Sequence, residues 1–155
     1  MPLLALWEPE IPPNTGNIAR SCAATGTPLH LIGKLGFRLD DRSLKRAGCD
    51  YWPAVDVHLH PDFAAFESAV RAVAPERRIL CLSAHGVQPY SAVHYRPDDV
   101  LLLGGETCGL PKEILQRFAA DTIVIPMPGS KVRSLNLAVA AGIVLYEALR
   151  QLQAW

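Results

Sequence analysis

The chain has 155 residues, half of them hydrophobic, and its 15 basic and 15 acidic side chains leave no formal net charge. This length and apolar content predict a single folded domain over residues 1–155 and exclude a disordered chain. The neutral balance also excludes a uniformly basic nucleic-acid-binding protein, so any anionic partner must meet a local basic patch.

The predicted elements alternate between short apolar runs of strand length and segments of helical periodicity. Strands are predicted at residues 3–7, 29–32, 79–82, 100–103 and 122–125. Helices are predicted at residues 15–25 (ended by Gly26), 41–47, 61–74, 111–118 and 135–152. Continuous apolar strands are typical of a sheet that is buried on both faces. We therefore predict an α/β fold with a mainly parallel sheet flanked by helices.

The sequence predicts neither a membrane segment nor a secretion signal. The first apolar run has no basic leader and stops at Glu8, and no window of 18 apolar residues occurs. The four cysteines form no C-x-x-C pair, which is typical of reduced thiols in a cytoplasmic protein. His58 and His60 would share one face of a strand, but no third ligand is near them in sequence, so we expect no metal site.

Ligands in open α/β sheets bind at the carboxyl ends of the strands, so the loops after the strands are candidate sites. The loop after the first strand is rich in proline and leads into the first helix. Asn14 or Thr15 is expected to cap that helix. Arg20 follows less than two turns later, either near the loop or directed to solvent.

Glycines dominate the loop after residues 100–103. Gly104, Gly105 and Gly109 allow a backbone to approach a ligand closely. A phosphate-binding loop would need Lys after its last glycine, where Leu110 stands, and no G-x-G-x-x-G follows the first strand. Nucleoside triphosphate and dinucleotide sites are therefore disfavoured. Glu106 is the one charge in this loop, and it serves either a ligand or the N-terminus of a helix.

Polar groups also occur in two further loops and in one basic cluster. The turn at 82–86 exposes backbone groups, and Ser134 and Asn136 can each cap the last helix or contact a ligand. The basic cluster comprises Arg38, Arg42, Lys45 and Arg46. It is either an anion-binding patch for RNA or a solvated helix face beside acidic neighbours, and both interpretations remain open at this point.

Three loops of this sequence, in this order, resemble the three motifs of the SPOUT superfamily of RNA methyltransferases. The matching segments are residues 14–20, residues 103–111, and residues 125–127 together with 133–137. Segments 8–17, 35–37, 40–41, 47–51 and 144–148 are similar to the branch that methylates the 2′-hydroxyl of the tRNA wobble nucleotide. That branch often has Ser-Arg-Ser-Met-Asn in the third motif, where this chain has Val-Arg-Ser-Leu-Asn.

The resemblance implies a deep trefoil knot in the C-terminal half, the SPOUT or α/β-knot fold, and an obligate homodimer. It implies a cytoplasmic enzyme that moves a methyl group from S-adenosylmethionine (AdoMet) to a tRNA ribose at position 34, leaving S-adenosylhomocysteine. The sulfonium is already a strong electrophile, so this reaction needs no metal. The cofactor-binding residues would be Leu82, Gly104, Ile125, Met127, Ser134 and Leu135.

By the same resemblance, the catalytic residues would be Arg20, Asn14, Glu106, Ser134 and Asn136. Arg20 is assigned to activating the ribose hydroxyl, yet an arginine is a poor base because it stays protonated at ordinary pH. It acts either as that base or as a group that orients the hydroxyl while a substrate phosphate takes the proton. Glu106 could hold Arg20 in a bidentate pair.

The candidate RNA-binding residues are the basic cluster Arg38, Arg42, Lys45 and Arg46, to which the resemblance adds Arg133 and Tyr146. Tyr146 would lie at the dimer interface or near tRNA, unless it is an ordinary core tyrosine. Two other functions stay open from the sequence, an RNA-binding factor without turnover and a nucleotide-dependent oxidoreductase. The complete catalytic set argues against the first, and the missing dinucleotide fingerprint argues against the second.

Overall fold

A parallel sheet forms the centre of the protein in a computed structural model that describes residues 1–39, 52–129 and 131–153. The strands are β1 Leu3–Trp7, β2 Leu29–Ile32, β3 Val57–His60, β4 Ile79–Leu82, β5 Gln88–Pro89, β6 Val100–Leu103 and β7 Thr122–Val124. Within these described ranges they form a seven-stranded sheet in the order β3-β2-β1-β6-β4-β7-β5. Neighbouring strands pair in parallel, which confirms the predicted α/β class.

Helices cover both faces of this sheet. They are α1 Pro12–Thr25, α2 Phe63–Val73, α3 Lys112–Arg117 and α4 Leu137–Gln153, with single 3-10 turns at Trp52–Ala54, Tyr90–Ala92 and Ala119–Asp121. Successive strand side chains point to opposite faces. Leu4 and Leu6 of β1 therefore pack in one core with α1 and α4, while Leu3 and Ala5 pack in another with α2. Burial on both faces explains the continuous apolar sequence of the strands.

The first helix begins earlier than predicted. It starts at Pro12, and prolines occupy its first two positions, where their missing N–H groups would have had no helical partner. The prediction that Asn14 or Thr15 caps this helix is wrong, because both lie inside it and the N-cap position falls on Ile11, whose side chain makes no capping bond. Gly26 ends the helix as predicted, with a left-handed φ of 68°.

The other predicted boundaries differ from the structure by a few residues. α2, α3 and β7 are each shorter than predicted, and α4 starts at Leu137 instead of residue 135. The predicted helix at 41–47 lies outside the described residues. β5 was not predicted, because a strand of two residues carries no measurable periodicity.

Three histidines meet at the β3 edge of the sheet. His58 and His60 share one face of β3, as predicted, and the pairing of β2 with β3 sets His30 opposite His58. The rings of His30 and His60 share a hydrogen bond of 2.8 Å between Nδ1 and Nε2. The prediction did not include His30, because His30 is far from His58 and His60 in the sequence. It comes close to them only through the pairing of β2 with β3. Among the described residues, no group of His, Cys, Asp or Glu is arranged to hold a metal ion.

The cysteines of the described residues differ in environment. Cys22 and Cys81 are buried, and burial raises the pKa of each thiol to about 12, whereas Cys108 is exposed. Cys49 lies outside the described residues. No helix within the described ranges is long and apolar enough to cross a membrane.

Candidate active site

A cavity of about 620 Å³ opens where β4, β6 and β7 end. Its lining contains all six predicted cofactor-binding residues, which are Leu82, Gly104, Ile125, Met127, Ser134 and Leu135. It also contains four predicted catalytic residues, Asn14, Glu106, Ser134 and Asn136. The structure therefore brings these segments of the chain to one place, at the strand ends where an α/β sheet binds ligands.

The loop after β6 folds back on itself beside this cavity. A Cβ on Gly104 would lie 2.1 Å from the carbonyl carbon of Gly109 and 2.3 Å from the nitrogen of Leu110, which is closer than these atoms can approach. Gly109 has a φ of 66° and donates its N–H to the carbonyl of Gly105 at 3.0 Å. The glycines thus allow two parts of the same loop to approach each other closely, and their predicted close approach to a ligand stays a prediction.

A chain of hydrogen bonds joins three distant parts of the sequence at the cavity. Asn136 Nδ2 donates to Asn14 Oδ1 at 2.9 Å, and Asn14 Nδ2 donates to Glu106 Oε1 at 3.1 Å. Asn136 Oδ1 accepts the backbone N–H groups of Ala138 and Val139, so Asn136 also caps α4. The predicted helix cap is confirmed, while the opposite end of the same amide bonds Asn14 at the cavity and the predicted ligand contact stays a prediction. The orientation of this amide is therefore fixed.

Glu10 and Glu106 hold the loops after β1 and β6 together. Glu106 accepts the N–H of Glu10 at 2.7 Å and that of Ile11 at 3.1 Å, through different carboxylate oxygens. In return, the Glu10 carboxylate accepts the Thr107 hydroxyl at 2.6 Å and the Thr107 N–H at 3.1 Å. The Thr107 hydroxyl, followed by its N–H, holds the pKa of Glu10 below its usual value. We call these reciprocal contacts of Glu10, Ile11, Glu106 and Thr107 the loop clasp.

Arg20 is placed differently from the other predicted catalytic residues. Its side chain is exposed on α1 and does not line the cavity. The predicted bidentate pair with Glu106 is wrong for the described structure, because backbone N–H groups and Asn14 occupy that carboxylate. Asn14 and Arg20 are six residues apart, which places them about 120° apart around a helix. When Asn14 faces the cavity, Arg20 must therefore face elsewhere.

The predicted RNA-binding residues that the structure describes lie in three different elements or loops. Arg133 is exposed and lines the cavity. Arg38 is exposed beyond β2, and Tyr146 is 46% exposed on α4, which shows that Tyr146 is not a core residue. Arg42, Lys45 and Arg46 lie outside the described residues.

Sequence reasoning missed Glu10 and Thr107. Both are exposed and 97 residues apart, so no local pattern links them. Gly105 was a signal that could have indicated their contact. A Cβ there would lie 2.7 Å from the carbonyl oxygen of Glu8 and 3.1 Å from Glu10 Oε1, so the two loops can only meet at a glycine.

The cavity fits a small organic molecule that has an apolar ring and a polar end. Its volume falls in the range of about 300–1,000 Å³ that is typical of ligand sites. Leu82, Ile125, Met127 and Leu135 offer apolar surface for a neutral base, and Glu106 is the carboxylate among the described lining residues. A parallel α/β sheet with such a cavity at its carboxyl edge is the usual architecture of a domain that binds a small molecule at the strand ends.

Comparison with known families names the class more closely. The sequence profile of the SpoU rRNA Methylase family matches residues 1–146, and the chain belongs to this family. The Escherichia coli (strain K12) protein named tRNA (cytidine(34)-2′-O)-methyltransferase is 48% identical over 96% of this chain and 92% of its own length. A relative from Synechocystis sp. is 51% identical over 97% of this chain and 96% of its own length.

Solved structures are similar over the same extent. One, described as giving insights into the 2-OH methylation of C/U34 on tRNA, is 52% identical, with a TM-score of 0.92 and coverage of 100% of this chain and 98% of that chain. The SpoU methyltransferase AviRb from Streptomyces viridochromogenes, in complex with the cofactor AdoMet, is 28% identical with a TM-score of 0.82. That match covers 100% of this chain and 61% of the AviRb chain.

Proposed function

We propose that this protein transfers a methyl group from AdoMet to the 2′-hydroxyl of the nucleotide at position 34 of tRNA, a cytidine or a modified uridine. The observation that carries the proposal is the convergence of residues from segments 14–20, 103–111 and 133–137 on one cavity. The E. coli relative with the corresponding name, which spans nearly the whole chain at 48% identity, supports the choice of tRNA position.

The cavity residues divide by chemistry into a base-binding part and a reacting part. Met127 and Leu135 would flank the adenine of AdoMet. The residues that would contact the cofactor mainly through backbone are Leu82, Gly104, Ile125 and Ser134. When bound, AdoMet supplies an electrophilic methyl group. The residues of the protein would place the ribose hydroxyl in line with that methyl group and help remove the proton of the hydroxyl.

The hydrogen-bonded amides are suited to placing the hydroxyl. Asn136 and Asn14 are locked in one orientation by their bonds to each other, to the start of α4 and to Glu106. Because these amide dipoles are already fixed, they need little reorganisation when a substrate binds. Arg20 orients the hydroxyl or activates it directly, and a substrate phosphate is the alternative proton acceptor, since a guanidinium is a weak base.

The position of Arg20 supports a homodimer in which sites are shared. Because Arg20 faces away from its own cavity, it is suited to reach the cavity of a second copy. α4 exposes Val139 at 51% and Tyr146 at 46%, two residues that are seven positions apart and so lie on one helix face. A second copy packed on this face would bury both.

A trefoil knot in the C-terminal half is part of the same proposal. The sheet order β6-β4-β7 is not the order of the chain, and residues 133–137 after β7 line the same cavity as the loops after β4 and β6. This arrangement, together with membership of the SpoU family, supports the knot. The whole chain, 1–155, then forms one catalytic domain that acts on tRNA in the cytoplasm.

RNA capture would depend on a local patch, because the chain as a whole carries no net charge. Arg38, Arg42, Lys45, Arg46, Arg133 and Tyr146 are the residues that we assign to it. Replacing Arg42 and Arg46 by Ala should weaken tRNA binding and flatten its dependence on salt, because fewer counterions are released. An unchanged salt slope would show that these arginines face solvent only.

The proposed activity is tested by methylation of undermodified total tRNA with labelled AdoMet, followed by mapping of the methylated nucleotide. We expect label on the ribose of nucleotide 34. Label on a base, or at another position, would overturn the assignment. In the Arg20→Ala variant we expect turnover to be abolished while AdoMet binding, measured by calorimetry, persists. Near-normal turnover in that variant would remove Arg20 from the mechanism.

A further inference from the structure

The geometry points to Glu10 and Thr107 as a positioning pair that couples the cofactor cavity to the catalytic helix α1. Thr107 lines the cavity, whereas Glu10 does not. Glu10 stands directly before Ile11 and the start of α1, which carries Asn14 and Arg20. The inference rests on the function proposed above and assigns a role to two residues outside the predicted site.

In the loop clasp, each of the two loops supplies one carboxylate that accepts hydrogen bonds from the other loop. Glu106, on the loop after β6, receives N–H groups from the segment that leads into α1. Glu10, on that segment, receives the hydroxyl and the N–H of Thr107 on the loop after β6. Each loop therefore holds the other through a carboxylate, and bonds to a charged acceptor are stronger than neutral ones. Neither loop can shift alone without breaking bonds at both ends.

Close backbone packing makes this connection stiff. Gly105 sits against Glu8 and Glu10, where a Cβ would have no room. Gly36 closes the other side, since a Cβ there would lie 2.7 Å from both the Cα and the carbonyl oxygen of Glu10, and its N–H donates to Pro9 at 2.9 Å. Glu10 is therefore clamped between two loops. A ligand that orders the loop after β6 would order the start of α1 through the same contacts.

The test replaces Thr107 with Val, which removes the hydroxyl and keeps the shape and the backbone N–H. We expect kcat for tRNA methylation to fall at least fivefold, while the Kd for AdoMet from calorimetry changes less than twofold. Thr107→Ser, which keeps the hydroxyl, should restore at least half of the parent kcat. Glu10→Gln should behave like Thr107→Val, because a neutral amide cannot replace the carboxylate toward both donors.

A matched control removes a hydroxyl at the C-terminal end of α1, away from the helix start that the loop clasp contacts. Thr25 bonds Ser21 and Cys22 through its hydroxyl, far from the clasp, so Thr25→Val should leave kcat unchanged. A purely structural role for Thr107 would lower kcat, AdoMet affinity and thermal stability together. That pattern, or a Thr107→Val kcat within twofold of the parent, would overturn the inference.

Amide hydrogen exchange gives a second readout that needs no methyl transfer. The N–H groups of Glu10 and Ile11 bond to Glu106 and not to Thr107. We expect saturating AdoMet to slow their exchange at least fivefold in the parent and less than twofold in Thr107→Val. Equal slowing in both would refute the coupling. If the parent shows this slowing but methylates no tRNA, the proposed function fails and the coupling stands.

Discussion

Acidification should destabilise this protein through one buried histidine. His30, 8% exposed on β2, stacks on the ring of His58 at 4.5 Å and shares a hydrogen bond with His60. Burial, followed by the charges of His58, His60 and Arg77, lowers the pKa of His30 to about 3, and Asp56 opposes this shift. Protonating His30 would place a charge in this enclosed cluster, so the folded state keeps it neutral.

The size of the effect follows from the difference between the folded and unfolded pKa values of His30. Below pH 6.5 the unfolded chain binds a proton at this residue, whereas the folded chain does so only near pH 3. The stability contributed by neutral His30 is therefore complete above pH 6.5 and is lost progressively down to about pH 3. At pH 4.5, two units below the unfolded value, the loss is about 3 kcal/mol at 1.36 kcal/mol per unit.

The measurement is the free energy of unfolding in urea, at one protein concentration, at pH 7.0, 5.5 and 4.5. The perturbation is His30→Leu, which removes the titrating ring and keeps an apolar side chain against Phe66. We expect the variant to be less stable at pH 7.0, because it loses the bond to His60, and to lose about 3 kcal/mol less than the parent on acidification. His94→Gln, a control at an exposed site, should follow the parent. Parallel pH profiles for the parent and His30→Leu would refute the reasoning.

Three further predictions follow from contacts of single residues. Asn136→Ala should cost about 1 kcal/mol of stability through the lost cap and lower kcat at least tenfold through the lost bond to Asn14, as urea unfolding and tRNA methylation would show. Asp99 is fully buried and bonded to Arg78, so Asp99→Ala should cost about 3–5 kcal/mol in urea unfolding; a loss under 1 kcal/mol would contradict this. Gly104→Ala should weaken AdoMet binding at least tenfold in calorimetry, because its Cβ has no room, and an unchanged Kd would show that the loop adjusts freely.

The sheet was predictable from the sequence because its strands are buried on both faces. Their apolar residues are continuous, and short runs bounded by turn residues are distinct from amphipathic helices. The predicted start of α1 was wrong because the local sequence signal, a pair of prolines, is compatible with two structures. Prolines ahead of Asn14 indicate a stiff loop, yet proline is equally at home in the first turn of a helix, and α1 starts at Pro12.

The lining of the site was predictable through the resemblance of its motifs, and its hydrogen bonds were not. Glu106 was expected to hold Arg20, but tertiary packing gives it three other donors. Asn136 was expected to be either a cap or a site residue, and an amide with a donor and an acceptor end can be both. The hydrogen-bond partners of these side chains depend on which groups lie close together in the folded protein, and the order of residues in the sequence does not specify this.

The double use of Asn136 ties the stability of the last helix to the order of the active site. Its carbonyl oxygen starts α4, whose apolar face packs in the same core as α1, and its NH₂ group holds Asn14 on α1. Asn14 in turn reaches Glu106, which also secures the entry to α1. The first helix, the central glycine loop and the last helix therefore complete the site together. A chain that lacks α4 would lose the cavity wall and the orientation of Asn14 in a single step, even where the central strands still paired.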